Sequence, residues 1–397
     1  MASSIAIDRC ADTGRRTLPE LGRSDRDQAS AVSRRKQTIT LREVAAEAGV
    51  SLGIASRVMG NYGSFSERSR VSVVAAAQKL SYSANGVARS LRLKRTRTIG
   101  VLISQISSYH WTLFVQGVED AARKAGYGVV LCNTADDPKR EMEYLKDMRE
   151  RGTDGVIASP LAENKRAFRQ IADSGYPIVA VNTVLGGGEV ARILSDDRRA
   201  AADAMEYLGA LGHRRIGLVA GAPELESGQQ RLESYKVGLS ALGLPIDDDL
   251  IAFGSYRQDD AYQATRQLIT LADAPTALLV CNESMTGAAL KCLRDHDIRI
   301  PDELSLVGFD DPDWASFYAP AITTLRAERF YMGRLACEAL LGALDRDATA
   351  PQSLPEIVLR TQLVIRQSCA APRTTPHLRD PGPDSRGDGR PAKEQYV

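Results

Sequence analysis

No stretch of this 397-residue chain supplies the roughly eighteen consecutive apolar residues that a membrane-spanning helix needs, and none near its start resembles the apolar core of a signal peptide. The expectation is a cytoplasmic protein with no membrane partner. The six cysteines (Cys10, Cys132, Cys281, Cys292, Cys337 and Cys369) never fall at C-x-x-C spacing, and Cys132 and Cys281 lie in apolar strands. They read as reduced core residues. Four histidines form no ligand pair, so no metal site can be named. No phosphate-cradling glycine loop of the Walker or dinucleotide type is present, because Gly186-Gly187-Gly188 alone makes only a turn. With no nucleophile set beside a base either, the expectation is a protein that is not an enzyme and holds no cofactor.

What is present is concentrated between residues 34 and 97. Thirteen Lys and Arg stand there against three Glu, a net of +10 in a chain that is formally +1, which leaves the remainder at −9. That asymmetry fits a phosphate-seeking module joined to a body without such affinity; the alternative is a basic but merely solvated helical domain. Thr40-Leu41-Arg42-Glu43 is a capping box, in which the Thr hydroxyl accepts from the Glu43 amide and the Glu carboxylate reaches back to the Thr40 amide. Leu41, Val44, Ala45 and Ala48 make one apolar face, Gly49 stops the helix, and Ser51 caps a second helix from Leu52 to Met59. Two short helices about a tight glycine turn predict a helix-turn-helix. Ser66 then caps a third helix, in which Val71, Val74, Ala75, Ala77 and Leu80 are expected to close a small core.

From Thr98 short apolar strands alternate with helices of 12 to 16 residues. Strands are expected at Ile99 to Ile103, Val129 to Cys132, Gly155 to Ala158, Ile178 to Val181, Ile216 to Ala220, Ala277 to Cys281 and Leu304 to Phe309. Such alternation predicts doubly wound parallel sheets, and this length exceeds one core, so two subdomains are expected. Residues 1–38 and 370–397 hold few large apolar groups and read as a disordered leader and tail.

The run from Thr40 to Ser51, with Ala55-Ser56-Arg57-Val58, Tyr82, Asn85 and Val87-Ala88-Arg89-Ser90-Leu91, resembles the DNA-binding headpiece of the LacI/GalR family of bacterial transcription repressors. Pro301 to Asp311 and Pro320 to Leu325 are close to that family's C-terminal segments, so the resemblance runs from about Thr40 to about Gln367. It implies an N-terminal all-α helix-turn-helix headpiece at 39–84 and a hinge helix and linker at 85–97. An α/β two-lobed, periplasmic-binding-protein-like domain for effector binding and dimerisation follows at 98–369. Lobe one would hold 98–194 and 326–350, and lobe two 195–325 and 354–369.

The function implied is that of a repressor whose affinity for operator DNA is controlled by a small-molecule effector, a sugar being favoured over a purine, acting as a homodimer. The base-reading positions are here Leu52, Gly53 and Arg57. Arg57 suits the bidentate bond to guanine, whereas Leu52 meets only a thymine methyl, or else packs in the headpiece core, and Gly53 has no side chain. Arg89 and Leu91 fall in the hinge helix, with Leu91 matching the residue that wedges a base step apart; Ala84 stands where a proline is usual. For the effector, the resemblance points to Trp111, Asn182, Arg231, Tyr256, Glu283 and Asp310, on loops at strand C-terminal ends. Trp111 could stack on a ring or simply wall the lobe. The Arg231 guanidinium suits vicinal hydroxyls or a carboxylate, with a helix-surface ion pair as the alternative. Asn282-Glu283 replaces the family's Asn-Asp, one methylene longer, which implies an altered pocket depth.

Overall fold

In the computed structural model the described residues are 39–60, 62–82, 95–186, 190–345 and 356–373. The leader 1–38, the hinge residues Ala84, Asn85, Arg89 and Leu91, and the segment 374–397 lie outside them. The chain divides into two units, Met1–Arg89 and Ser90–Val397.

The first unit is built on three helices, α1 (Leu41–Glu47), α2 (Leu52–Gly60) and α3 (Glu67–Lys79). The capping box forms as expected: Thr40 N donates to Glu43 Oε2 at 2.6 Å, and Glu43 N donates to Thr40 Oγ1 at 3.4 Å. Gly49 then turns the chain at φ +63, a left-handed backbone that favours glycine, and Ser51 Oγ accepts from Ile54 N at 3.3 Å to start α2. The core is Val44, Ala45, Ala55, Val58, Val73, Ala76 and Ala77. On α3 this corrects the expected face, since Val71 and Val74 are exposed while Val73 and Ala76 are buried. The unbroken apolar run Val73 to Ala77 offers two faces at helical spacing, and only contact with α1 and α2 selects one.

The second unit holds two six-stranded sheets. Sheet A has the order β11-β5-β4-β3-β1-β2. Its strands are β1 (Thr98–Ile103), β2 (Gly128–Asn133), β3 (Gly155–Ala158), β4 (Ile178–Val181), β5 (Ala191–Asp196) and β11 (Glu356–Arg360). Sheet B runs β12-β10-β9-β8-β6-β7. Its strands are β6 (Ile216–Ala220), β7 (Ile251–Phe253), β8 (Ala277–Val280), β9 (Ser305–Phe309), β10 (Thr323–Arg326) and β12 (Gln362–Val364). Every pairing is parallel except β10 with β12, so the expected doubly wound parallel sheets form with one antiparallel edge strand.

Helices cover both faces of each sheet, which is why the inner strands read as continuous apolar runs. On sheet A, Ile99, Val101, Ile157 and Val179 pack against α4 (Tyr109–Lys124) and α12 (Arg329–Leu344). The alternate residues Leu102, Val156, Ala158 and Ile178 pack against α5 (Pro138–Glu150) and α6 (Lys165–Asp173). Where α4 and α12 cross, a Cβ on Gly117 would strike the Phe330 carbonyl, and one on Gly333 would strike the Phe114 carbonyl. The two glycines let the backbones touch. In lobe two, α7 (Asp197–Ala210), α8 (Glu226–Ala241), α9 (Gln258–Ile269) and α10 (Glu283–Asp295) enclose sheet B, with the short α11 (Asp313–Phe317) after β9.

Three passages join the lobes: β5 into α7 at Asp196 and Asp197, β10 into α12 between Arg326 and Arg329, and β11 into β12 at Thr361. The third corrects the expected boundary, because β11 pairs with β5 and so places 356–360 in lobe one. At the C-terminal end, Ala370 N and O both bond Ser305 Oγ, at 3.0 and 3.1 Å, so the first residues assigned to the tail are held on lobe two.

Candidate functional site

Strand C-terminal ends of both lobes open onto a cavity of about 370 Å³. All six effector residues expected from the sequence line it: Trp111, Asn182, Arg231, Tyr256, Glu283 and Asp310. Asn182, Tyr256 and Asp310 adopt left-handed backbones, at φ +52, +59 and +63. Such conformations at non-glycine residues cost about 1–3 kcal/mol each and persist where packing over-determines them.

Lobe one supplies the start of α4. Trp111 donates its indole N–H to Ser104 Oγ at 2.9 Å and meets Phe114 edge-on, so it is a fixed part of the cavity wall. Asn182 accepts from Ser195 Oγ at 3.2 Å. Lobe two supplies Tyr256, whose hydroxyl donates to Ser227 Oγ at 3.1 Å and whose pKa burial pushes up to about 12.

Arg231 is buried in the cavity wall, which corrects the helix-surface alternative, and its guanidinium is already engaged by the protein. Its Nε and Nη2 donate to Asp197 Oδ2 at 3.2 and 2.7 Å, its Nη1 donates to the Cys281 carbonyl, and its guanidinium lies 4.2 Å over the Phe309 ring. Burial would raise the Asp197 pKa, but the charges of Arg231 and Arg329 outweigh it and hold the carboxyl near 2.

A second matched pair lies alongside. Arg329 Nη2 donates to Asp310 Oδ1 at 3.2 Å and stands 3.8 Å from Asp197 Oδ1, which also accepts from Thr361 Oγ1 at 3.0 Å. One residue from each passage between the lobes, Asp197, Arg329 and Thr361, therefore meets in a single buried network. Burial opposes the charge on Asp310, yet the His110 contact and the two arginines hold its pKa well below the usual carboxylate range. His110 is itself pushed down to about 4, by burial first and then by Arg329.

Glu283 stands apart from these pairs. Its Oε1 accepts from Tyr109 N at 3.0 Å and Ser108 Oγ at 3.4 Å, a bond from lobe two to lobe one. Its pKa is raised, by burial and then by the Asp310 charge. A second carboxylate of lobe two, Glu226, is also bonded across the cleft, accepting from Lys165 Nζ and, at 2.7 Å, from Thr183 Oγ1.

Sequence reasoning missed Asp197, Arg329, His110 and Glu226. A signal existed for Arg329: a cation in the first turn of a helix, with no acid there and no side-chain cap, opposes the helix dipole. His110 adjoins Trp111 in sequence, and nothing in the local pattern marks it as a buried partner of Asp310. In the headpiece, Leu52 and Gly53 are exposed at the start of α2, so Leu52 is not a core residue. Arg57 is half-buried, with its Cδ 3.2 Å from where a Cβ on Gly63 would stand. Arg89 and Leu91 lie outside the described residues. Among those residues, no group of His, Cys, Asp and Glu is placed to hold a metal, and no helix is long and apolar enough to cross a membrane.

A capped helix-turn-helix ahead of two lobes closed over a polar cavity defines a DNA-binding regulator with a receptor domain. Known proteins agree. Residues 40–85 match the bacterial regulatory proteins of the lacI family, and residues 205–369 match the periplasmic binding protein-like domain. The HTH-type transcriptional regulator EndR of Paenibacillus polymyxa is 32% identical over 80% of this chain and 94% of its own. The lac repressor dimer, solved with operator and the anti-inducer ONPF, superposes with a TM-score of 0.76 at 25% identity, over 84% of this chain and all of that one. A LacI family transcriptional regulator from Enterococcus faecium with bound ribose gives 0.63 at 25% identity, over 70% of this chain and all of that one. The chain belongs to the lacI family of bacterial regulatory proteins. It is a DNA-binding transcriptional regulator and not an enzyme.

Proposed function

We propose that this protein is a cytoplasmic homodimeric repressor whose grip on an operator is set by a sugar-class effector in the inter-lobe cavity. The observation that carries the proposal is the cavity wall: Asn182, Tyr256, Glu283 and Asp310 present polar groups around one fixed indole, Trp111. Polyhydroxy ligands are held this way, with an apolar ring face on an aromatic and hydroxyls on polar side chains. The ribose-bound Enterococcus faecium regulator supports the same ligand class. In the headpiece, exposed Leu52 and Gly53 and the cation of Arg57 face base edges of the major groove. Arg89 and Leu91 serve the minor groove, and two-fold pairing of headpieces matches two half-sites.

The network joining Asp197, Arg329 and Thr361 lies where the chain passes between the lobes, and on this reading a ligand that changes the cleft shifts a two-state body and, reciprocally, bound operator changes ligand affinity. A thermal-shift screen of pentoses, hexoses, polyols and purines tests the effector class. At a hundred times its dissociation constant the effector adds about 2.7 kcal/mol of stability. A response confined to purines overturns the sugar assignment.

A further inference from the structure

Two acceptors of the cavity wall have no donor, and both belong to residues that neighbour Asp310. Glu283 is 7% exposed and lines the cavity, and its Oε2 has no hydrogen-bond partner. His110 also lines it, with a buried Nε2 that has no partner. Their neighbourhood is fixed by consecutive residues of α4: Tyr109 N bonds Glu283, and His110 Nδ1 faces Asp310 Oδ1 at 3.8 Å. With the carboxylate of Asp310 on its Nδ1 side, neutral His110 keeps its proton there and leaves the buried Nε2 as an unpartnered acceptor in the cavity wall.

The charges around this corner do not cancel. Arg231 is matched by Asp197, Arg329 by Asp310 and Lys165 by Glu226, so none of these cations is left for Glu283. A buried carboxylate without a cation is expensive, and a hydroxyl satisfies its hydrogen bond but leaves its charge uncompensated.

We infer that the effector carries an ammonium group seated against Glu283 Oε2 and His110 Nε2, which makes it an amino sugar rather than a neutral or phosphorylated one. The inference rests on the sugar reading of the cavity given above. An ammonium has three donors and no acceptor, which suits two acceptors and a negative charge. The same surplus of carboxylates repels a sugar phosphate. Because Glu283 Oε1 is held by lobe one, a cation on Oε2 reads the ligand from the residue that bridges the cleft.

Thermal shift on the full chain, followed by calorimetry, tests this with nine probes and two controls. The probes are glucose, galactose and mannose, their 2-amino counterparts and their 6-phosphates; the controls are hypoxanthine and guanine. One amine is expected to bind about tenfold more tightly than its neutral parent, the margin of a charge-assisted bond over a neutral one, and its phosphate more weakly still. In Glu283→Gln that preference falls to about threefold or less, a change in ratio that a merely structural role for Glu283 would not produce. A neutral parent or phosphate that binds as well as its amine overturns the inference and leaves the sugar reading intact. A response to the purines alone, or to none of the nine sugars, removes both. The wild-type series decides the matter even where the variant does not fold.

Discussion

Arg231 and Asp197 form a buried ion pair, 2.7 Å from Nη2 to Oδ2, at the point where the chain first passes from lobe one to lobe two. The residue that the sequence offers as a ligand fork is thus also a structural partner. Arg231→Ala strands Asp197 with only Thr361 and the more distant Arg329, and is expected to cost about 3–5 kcal/mol. Replacing both partners, Arg231→Met with Asp197→Leu, should recover most of that. Urea midpoints check this, and a single variant as stable as wild type would contradict the pairing.

The α4–α12 crossing gives a second prediction. Gly333→Ala gains about 1 kcal/mol of helix propensity, but its methyl meets the Phe114 carbonyl, and backbone cannot move aside as a side chain would. A net loss of about 1–3 kcal/mol is expected from thermal unfolding, with Gly117→Ala similar. A stabilised variant would show that the two helices have room to part.

Stability should also fall in mild acid. His110 is depressed to about 4 in the fold from 6.5, so the unfolded chain binds its proton more readily. Its contribution is complete above about pH 6.5 and is lost as pH falls toward 4, by up to about 3 kcal/mol. His213, pushed down by burial, acts in the same sense, whereas Glu283, raised by burial and Asp310, opposes them. Urea unfolding from pH 7.5 to 4 should show a shallower decline in His110→Gln. An unchanged profile would assign the acid sensitivity elsewhere.

At the DNA interface, Arg57→Ala is predicted to weaken specific operator binding by about 1–3 kcal/mol and to relax preference at one base pair. Competition binding against single-base operator variants reads this directly. If affinity drops equally for every sequence, Arg57 contacts phosphate instead.

Much of this architecture was legible in the sequence, for reasons that also explain the gaps. Six of the seven expected strands lie inside the sheets and declare themselves as apolar runs such as Ile178–Val181, and the edge strand β2 does so through Val129 to Cys132. The five that do not, β5, β7, β10, β11 and β12, lie at or near sheet edges or carry polar residues such as Thr323 and Thr324, so no continuous apolar run marks them. Capping chemistry placed the headpiece helices closely, because Thr40 with Glu43 is a local signal. The six cavity residues emerged from family resemblance and strand-end position. Asp197, Arg329 and His110 did not, since their meaning depends on partners distant in the chain, such as Thr361, 164 residues from Asp197, and Asp310, farther still from His110.

The central claim is that the basic three-helix unit grips DNA while the two-lobed body decides when. Fluorescence anisotropy on DNA from the protein's own promoter, for the full chain and for the chain lacking residues 1–94, tests it most directly. The full chain should bind tightly, with an affinity that falls steeply as salt rises, and the truncated chain should lose that binding. Equal affinity of the two would contradict the account.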